Sequence, residues 1–498
     1  MKMFSQEQIL DEEFRMAVIK HIESPANIER KVEHKRRHEV YKDKTIKHVL
    51  KKLEAEGLKP QTLELMKNRA SNISICRKVI NKKARCYNGG VLRDTGNSAT
   101  NIQLTELADL LDWDQKQKKA DKYSELFKNC MPWFIPEFVM DDATGKRKYR
   151  LKSKIFSPWQ FDVIEDARDP ETAACVVLSD YIEGKTPLEK QEDKNRTYIF
   201  WSDKYHFTVD AKGKLIPSAS PEDLLNPIGI IPGASIALDQ DGNYWAEGGN
   251  DLTDGSILVN TLITDMLAIA YMQGWGQLVV TGKKIPQVLT VGPHNALVLT
   301  YGDGEPKPEV TVVNANPPLA DWMQSIEQYV ALLLSTNDLS PANVSVKLDV
   351  SNFPSGIALL VEKSEATGSV EDKQKKFARA ERRQWEIVKR WQNRLLESDS
   401  LIEEFKQIGR LPDNLTVSVK FNDTKEVVTE KERLENIKTR KDIGLNTELE
   451  LIMMDNPQMT EEEAKAKQLK LKEEKVANAH KEAVNTLEKK DGETVPET

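Results

Sequence analysis

Residues 256–280 have the sequence SILVNTLITDMLAIAYMQGWGQLVV, and this stretch decides the fold. Ser256 is a residue type that favours the start of a helix. Leu258, Leu262 and Ile269 follow at helical spacing, and apolar side chains cover too much of the circumference for a helix with one wet face. The stretch predicts a long helix that packs in a core or against copies of itself in a ring.

A membrane span is the alternative for this helix. Seventeen uncharged residues run from Met266 to Gly282, which is near the lower limit for crossing a bilayer. Asp265 borders the run, and Gln273 and Gln277 dilute its apolar character. We therefore expect a helix buried between subunits, and an oligomeric membrane channel is the rival interpretation.

A β segment, a second helix and a long helix follow along the chain. The β segment is predicted within 285–313, where runs of Val, Leu and Thr are broken by Gly-Pro and Gly-Asp-Gly turns. The second helix is predicted at 319–338, and a long charged helix at 356–398. Residues 340–355 between them lack helical signals, so we expect a loop there.

The flanking sequence mixes helical and strand patterns. Residues from about 5 to 87 are typical of helices with one break, at Gly57-Leu-Lys-Pro60. Short runs of β-branched and aromatic residues then predict strands, and the fold class predicted is α+β, mainly helical. The remaining predicted ranges are 104–129, 429–443 and 460–490 for helices, and 133–139, 149–151, 174–178, 197–201 and 415–421 for strands.

Charge is unevenly distributed along the chain. The 498 residues carry a formal net charge of -7, but residues 28–85 hold 18 Lys and Arg against 7 Asp and Glu, a net of +11 that leaves -18 elsewhere. Such a segment either binds nucleic acid or forms helices with lysines on a solvated face, and the second is favoured. His34 and His38 have the spacing of a metal pair but lie among cations, so we expect them on a solvated helix face.

Motifs of catalytic sites are missing from the sequence. It contains no GxxxxGK[ST], GxGxxG, GxSxG or HExxH pattern. Asp239-Gln-Asp-Gly-Asn243 resembles the start of a calcium loop, but Tyr244 stands where that loop needs glycine and Asn250 where it needs glutamate. We expect a turn there, no metal, no cofactor and no enzyme activity, and a DNA-processing enzyme is the alternative.

Four local sequences are distinctive. They are SPWQFDVIED at 157–166, NPIGIIP at 226–232, SGIALL at 355–360 and NPQMTEEEA at 456–464. They resemble, in this order, the wing strands, the segment before the first stem helix, the start of the long helix after the tunnel loop and the C-terminal region of bacteriophage portal proteins. The resemblance to this family, from tailed double-stranded-DNA phages, spans most of the chain.

The resemblance implies a division of the chain into portal parts. These are a wing at 1–255, stem helix 1 at 256–282, a clip at 283–318, stem helix 2 at 319–339, a tunnel loop at 340–355, a spine helix with the remaining wing at 356–445, and a crown with the C-terminal tail at 446–498.

The resemblance also implies a function. Portals form rings, typically of twelve copies, at one capsid vertex, and DNA is packaged and later ejected through the ring. The expected location is the virion, with the host cytoplasm during assembly, which the four scattered cysteines also favour. The implied partners are double-stranded DNA, the terminase large subunit, a head-tail adaptor, the major capsid protein and a scaffold protein, without a membrane. The implied tunnel-loop residues are Asn343, Ser345, Lys347, Asp349, Ser351 and Asn352, and the implied clip contacts are Lys283, Lys284, His294 and Asp303.

Overall fold

The computed structural model describes residues 6–140, 147–179, 196–217, 223–246, 248–274, 277–281, 309–313, 318–339, 356–422, 450 and 465–470. The chain divides into two compact units, Met1–Asn422 and Asp423–Thr498. The fold is α+β and mainly helical, as predicted. In the second unit residues 465–470 are helical, which confirms the predicted helix 460–490 over that part.

Five helices form the N-terminal part of the first unit. The predicted break is confirmed, because Gly57 has a φ of 67° and a helix begins at Pro60. The expectation of one break was wrong: the chain also breaks before Pro25, at Asp43 with its φ of 61°, and after Lys67. The helices are α1 Glu12–Ile22, α2 Pro25–Tyr41, α3 Thr45–Ala55, α4 Pro60–Lys67 and α5 Ile75–Lys83.

The helix predicted at 104–129 is two helices, α6 (Ser98–Leu110) and α7 (Trp113–Phe127). Asn97 caps α6, since its Oδ1 accepts hydrogen bonds from the N–H groups of Ala99 and Thr100 at 2.9 and 3.2 Å. Asp112 separates the two helices with a φ of 53°. A residue with left-handed backbone angles cannot continue a right-handed helix, so the helix ends here. The apolar periodicity continues across this break, and the sequence pattern therefore did not reveal it.

The predicted strands are confirmed within two antiparallel sheets. One has the order β3–β2–β8 and the other β4–β5–β6–β7. Strands β1 and β11 form a separate antiparallel pair. The strand predicted at 415–421 is β11, which is shorter than expected. The sequence had not indicated β1, β7 or β8, whereas the resemblance of residues 157–166 to portal wing strands had indicated β4. The strands are β1 Val91–Asp94, β2 Asn129–Met140, β3 Arg147–Phe156, β4 Phe161–Glu165, β5 Ala173–Leu178, β6 Thr197–Ser202, β7 His206–Asp210, β8 Ile236–Ala237 and β11 Ser418–Phe421.

The long helix predicted from Ser256 is α8, from Asp251 to Gly274. Ser256 does not cap it: Ser256 is buried inside the helix, where its hydroxyl donates to the carbonyl of Leu252 at 2.7 Å. The helix also ends before Val280, because residues 277–281 pair as a strand with 309–313. The following elements are β9 Gln277–Thr281, β10 Glu309–Val313, α9 Leu319–Ser335, α10 Gly356–Glu397 and α11 Glu403–Ile408, of which α9 and α10 confirm the prediction.

Stacked aromatic rings place the C-terminal half of α10 at the centre of the first unit. The indoles of Trp385 and Trp113 stack with centroids 3.9 Å apart and an interplanar angle of 11°. Trp391 Nε1 donates to the carbonyl of Phe134 at 2.9 Å. These contacts join α7, β2 and α10 into one core. Truncating a buried Trp costs about 3–5 kcal/mol, so the indoles contribute strongly to the stability of this core.

Candidate functional site

The ten residues that the resemblance assigns to the tunnel loop and the clip lie outside the described residues. Asn343, Ser345, Lys347, Asp349, Ser351 and Asn352 belong to the segment between α9 and α10. Lys283, Lys284, His294 and Asp303 belong to the segment between β9 and β10. The structure describes the elements from which both segments emerge, and these elements form the candidate site.

Strands β9 and β10 bring the two ends of segment 282–308 together. They pair antiparallel, with Thr281 opposite Glu309 and Gln277 opposite Val313. Paired residues of an antiparallel ladder have Cα atoms about 4.5–5.5 Å apart. The segment that carries the four expected clip residues therefore leaves and re-enters the fold at one place.

Helices α8 and α9 pack as a close antiparallel pair. A Cβ added at Gly255 of α8 would lie 2.7 Å from Cδ1 of Leu333 in α9, so a larger residue here would require the Leu333 side chain to move. Asn337, just after α9, donates from Nδ2 to Asp251 Oδ2 at 3.0 Å. The start of α8 thus lies beside the end of α9.

Polar contacts fix the first half of α8 to the segment between α4 and α5. Asn260 Nδ2 donates to the carbonyl of Ile73 at 3.0 Å, and its Oδ1 accepts from the Ile73 N–H at 2.6 Å. Thr264 Oγ1 accepts from the N–H of Ser71 at 2.9 Å. Because these polar groups are buried and satisfied, this half of α8 belongs to the core of the first unit.

Among the described residues, Asp251–Tyr271 of α8 is long and apolar enough to cross a membrane by length and composition. Half of that span is buried inside the protein, and the core helix of a soluble protein passes the same test. Packing against α3, α9 and the segment before α5 accounts for the apolar composition of its first half without lipid.

The apolar stripe of the α8–α9 pair continues beyond this core. Leu267 and Tyr271 of α8 are 42% and 46% exposed, and Trp322 and Met323 of α9 are 38% and 45% exposed. We call these four residues the distal patch. The guanidinium of Arg69 lies over the Tyr271 ring at 3.7 Å and covers part of it.

The distal patch follows from the periodicity of both helices. Positions 260, 264, 267 and 271 are three or four residues apart, so the exposed pair extends the face by which α8 docks. Gly255 lies beside Leu333, and twelve residues along each antiparallel helix bring 267 level with 321, next to Trp322. Exposed apolar side chains at the same level of two neighbouring helices are candidates for an interaction surface.

Buried charges hold α10, the helix that follows the expected tunnel loop. Glu381 accepts from Arg93 Nε at 2.8 Å and from the Tyr87 hydroxyl at 2.8 Å. Burial raises the pKa of Tyr87, and the Glu381 carboxylate raises it further. Burial opposes the charge of Arg93, but hydrogen bonds and the charge of Glu381 outweigh it and raise the pKa of Arg93. Lys373 forms a second buried ion pair, with Glu125 at 2.6 Å.

Some of the cationic side chains of the basic segment 28–85 form ion pairs and hydrogen bonds within the fold. Arg30 and Lys31 both contact Asp162 of β4 at 2.6 Å, and the Arg30 guanidinium lies 3.8 Å from the Trp245 ring centroid. Arg37 donates from Nε to Asn250 Oδ1 at 2.7 Å. Helix α2 is therefore joined by its cations to the sheet and to the segment before α8.

The expectation that His34 and His38 lie on a solvated face was wrong. His34 is buried, with its ring edge-on to Phe127 at 5.9 Å, and the His38 ring lies 5.1 Å from Trp159. Burial, and then the charges of nearby arginines, lower the pKa of His34 to about 3. Burial and nearby lysines lower that of His38 to about 4. Few apolar residues mark the buried face of α2, so helical periodicity did not reveal it.

The described residues hold no group of three or more His, Cys, Asp or Glu placed to bind a metal. Residues 239–243 form a turn, as predicted, with Gly242 at a φ of 70° and Asp239 paired to Lys128 at 2.7 Å. All four cysteines are free and buried, and burial raises the pKa of Cys76 to about 12. Such thiols are poor nucleophiles.

Two of the solved structures that are similar to this chain are of gene transfer agent particles. One is a chain of the "Virion of native gene transfer agent (GTA) particle", with 9% sequence identity and a TM-score of 0.42, covering 82% of this chain and 98% of that one. The other is a chain of the "Neck of empty GTA particle computed with C6 symmetry", with 10% identity and a TM-score of 0.40, covering 78% and 90%. No protein-family model matches the sequence, and no curated protein does. Similarity at this level does not assign the chain to a family.

Proposed function

We propose that this chain is a portal-type subunit, which forms a ring-shaped channel for double-stranded DNA at one vertex of a phage capsid and joins head to tail. The observation that carries the proposal is the distal patch on a close helix pair. The pair encloses a β segment and is followed by segment 340–355 and by α10, which the core anchors.

A ring explains the distal patch. A single copy leaves two aromatic and two aliphatic side chains of α8 and α9 between 38% and 46% exposed. A head-to-tail contact between copies covers such a surface and closes after a fixed rotation. The patch is thus proposed as part of the contact between stem helices of neighbouring copies.

The channel function rests on segment 340–355 and its placement. It leaves the stem pair after α9 and returns into α10, whose later turns carry Glu381, Trp385 and Trp391 into the core. The segment contains one lysine, Lys347, and one aspartate, Asp349, among small polar residues. A sliding duplex requires few strong phosphate contacts, because each adds affinity and salt dependence.

The remaining partners follow from the same proposal. Segment 282–308, with Lys283, Lys284, His294 and Asp303, is the proposed contact for the terminase large subunit and later for a head-tail adaptor. The capsid and scaffold proteins would surround the wing, and the proposed location is the virion, after assembly in the host cytoplasm.

Mass measurement of the purified full-length chain tests the proposal. We expect an assembly near twelve times 56.6 kDa, recovered without detergent, with a central hole in negative-stain images. A protein that stays monomeric at every concentration would overturn the ring. Recovery in the membrane fraction alone would favour the oligomeric membrane channel.

A further inference from the structure

We propose that neighbouring copies also meet through α6 of one copy and a groove between α3, α8 and α9 of the next. This inference rests on the proposed ring and adds to it a contact away from the distal patch. It follows from two complementary surfaces, each of which has no partner in the described part of its own chain.

The first surface is a face of α6, which we call the α6 face. Ile102, Glu106, Asp109 and Leu110 follow at helical spacing, and Ile102 and Leu110 are 61% and 41% exposed. Glu106 and Asp109 are exposed between them, and neither forms an ion pair within the described part of the chain. The opposite side of α6 is buried, so this face is the free side of an amphipathic helix.

The second surface is a groove with a volume of about 510 Å³, which we call the α3 groove. Ile257, Leu258 and Tyr329 contribute its apolar lining, and Lys51 and Lys52 of α3 border it. No ion pair involves either lysine among the described residues, and both are exposed.

The other charges at the groove already have partners. Arg36 forms an ion pair with Asp254, and His48 Nε2 lies 2.9 Å from Glu39. Lys51 and Lys52 are therefore the cations of this groove without an ion pair among the described residues, although the charge of Lys52 also acts on Asp265 of α8.

The two surfaces match in kind. An amphipathic helix laid into an apolar groove is a common mode of protein recognition. Here the helix offers two apolar side chains around two carboxylates, and the groove offers an apolar lining beside two ammonium groups. Opposite charges at such a contact fix register and exclude wrong partners.

The placement of the surfaces suits a second copy as the occupant. Helix α6 packs on α7 and α11, whereas α3 packs on α2, α4 and α8, and α7 packs on α2. The α6 face is exposed, so it is not seated in the groove of its own copy. A ring requires each subunit to carry two different, complementary surfaces, and these meet that requirement.

Charge reversal tests the contact. Glu106→Lys with Asp109→Lys, and separately Lys51→Glu with Lys52→Glu, are expected to lower the ring fraction at least tenfold at a fixed protein concentration. The quadruple variant, in which both sides are reversed, is expected to recover it. Glu13→Lys with Glu29→Lys is the matched control for the Glu106 and Asp109 pair, because it changes the net charge by the same amount at exposed positions outside both surfaces.

Circular dichroism melting of each variant separates misfolding from lost assembly. Rings that persist in both double variants, or a quadruple variant no better than the doubles although folded, would overturn the contact. That result leaves the proposed ring intact, whereas a wild-type protein without rings would remove the proposed function itself.

Cross-linking provides a geometric test of the same contact. Asp109→Cys with Lys52→Cys is expected to give a ladder of covalent oligomers on oxidation, since the four native cysteines are buried. A single band at monomer mass from assembled rings would contradict the proposal.

Discussion

Gly255 of α8 lies so close to Leu333 of α9 that a Cβ at position 255 would be 2.7 Å from Leu333 Cδ1. This approach fixes the helix pair from which the β9–β10 segment and segment 340–355 both emerge. The two helices approach closely where position 255 has no side chain, so we expect their packing to be sensitive to volume added at this position.

Gly255→Val is expected to destabilise the subunit by about 1–3 kcal/mol, because the added methyl groups overpack a buried contact. Urea unfolding measures the change. In the presence of Leu333→Ala, which opens space, the same substitution should cost at least about 1 kcal/mol less. Equal costs in both backgrounds would show that the two helices do not touch there.

Glu381→Gln is expected to cost about 1–3 kcal/mol in unfolding free energy, because it removes the buried carboxylate that accepts from Arg93 and Tyr87, while Arg93 keeps its ion pair with Asp114. Glu371→Gln on the exposed side of the same helix is the control, with an expected change within about 0.5 kcal/mol. If the two variants melt alike, the ion pair contributes nothing.

Acid is expected to destabilise the fold through His34. Its pKa of about 3 in the folded protein lies below the ordinary 6.5, so the unfolded chain takes up a proton first as the pH falls. The stability that His34 contributes is present above pH 6.5 and is lost progressively towards pH 3, by about 2 kcal/mol at pH 5. Urea unfolding at pH 7 and pH 5 measures the loss.

His34→Phe removes the titrating group while keeping an aromatic ring against Phe127. The difference in unfolding free energy between pH 7 and pH 5 should shrink by about 2 kcal/mol in this variant. An unchanged difference would assign the acid sensitivity to other groups, such as His206, whose pKa burial lowers to about 4.

Tyr271→Ser with Trp322→Ser is expected to abolish rings and to leave the subunit folded, because the distal patch is exposed in the single chain. Val32→Ser, which removes an exposed apolar side chain on α2, should leave assembly unchanged. Light scattering and melting curves give the two readouts. Intact rings in the double variant would place the contact elsewhere.

Deletion of 343–353 is expected to leave ring assembly intact and to impair DNA packaging or retention. The segment lacks the apolar periodicity of the helices on either side, so the interface should not depend on it. Packaged DNA per particle is the measurement. Loss of the rings themselves would show a structural role instead.

Local patterns were sufficient for the longest elements. The runs that became α9 and α10 were predicted within a few residues, because helical periodicity and the prolines at 317 and 318 act locally. The helix start predicted at Ser256 was wrong, because a serine hydroxyl can cap a helix or, within a helix, donate to the carbonyl four residues earlier. The helix breaks at Asp43 and Asp112 were not predicted, because no local sequence pattern distinguishes these aspartates with positive φ from aspartates within a helix.

The sequence by itself determined a mainly helical α+β chain, with an apolar helix, a β segment, a second helix and a long helix in that order. Tertiary structure decided which of the apolar side chains stay uncovered. Leu262 and Leu267 look alike in the sequence, yet Leu262 is half-buried and Leu267 is 42% exposed. Exposure depends on what packs above a residue, and that is set by contacts between positions distant in the chain.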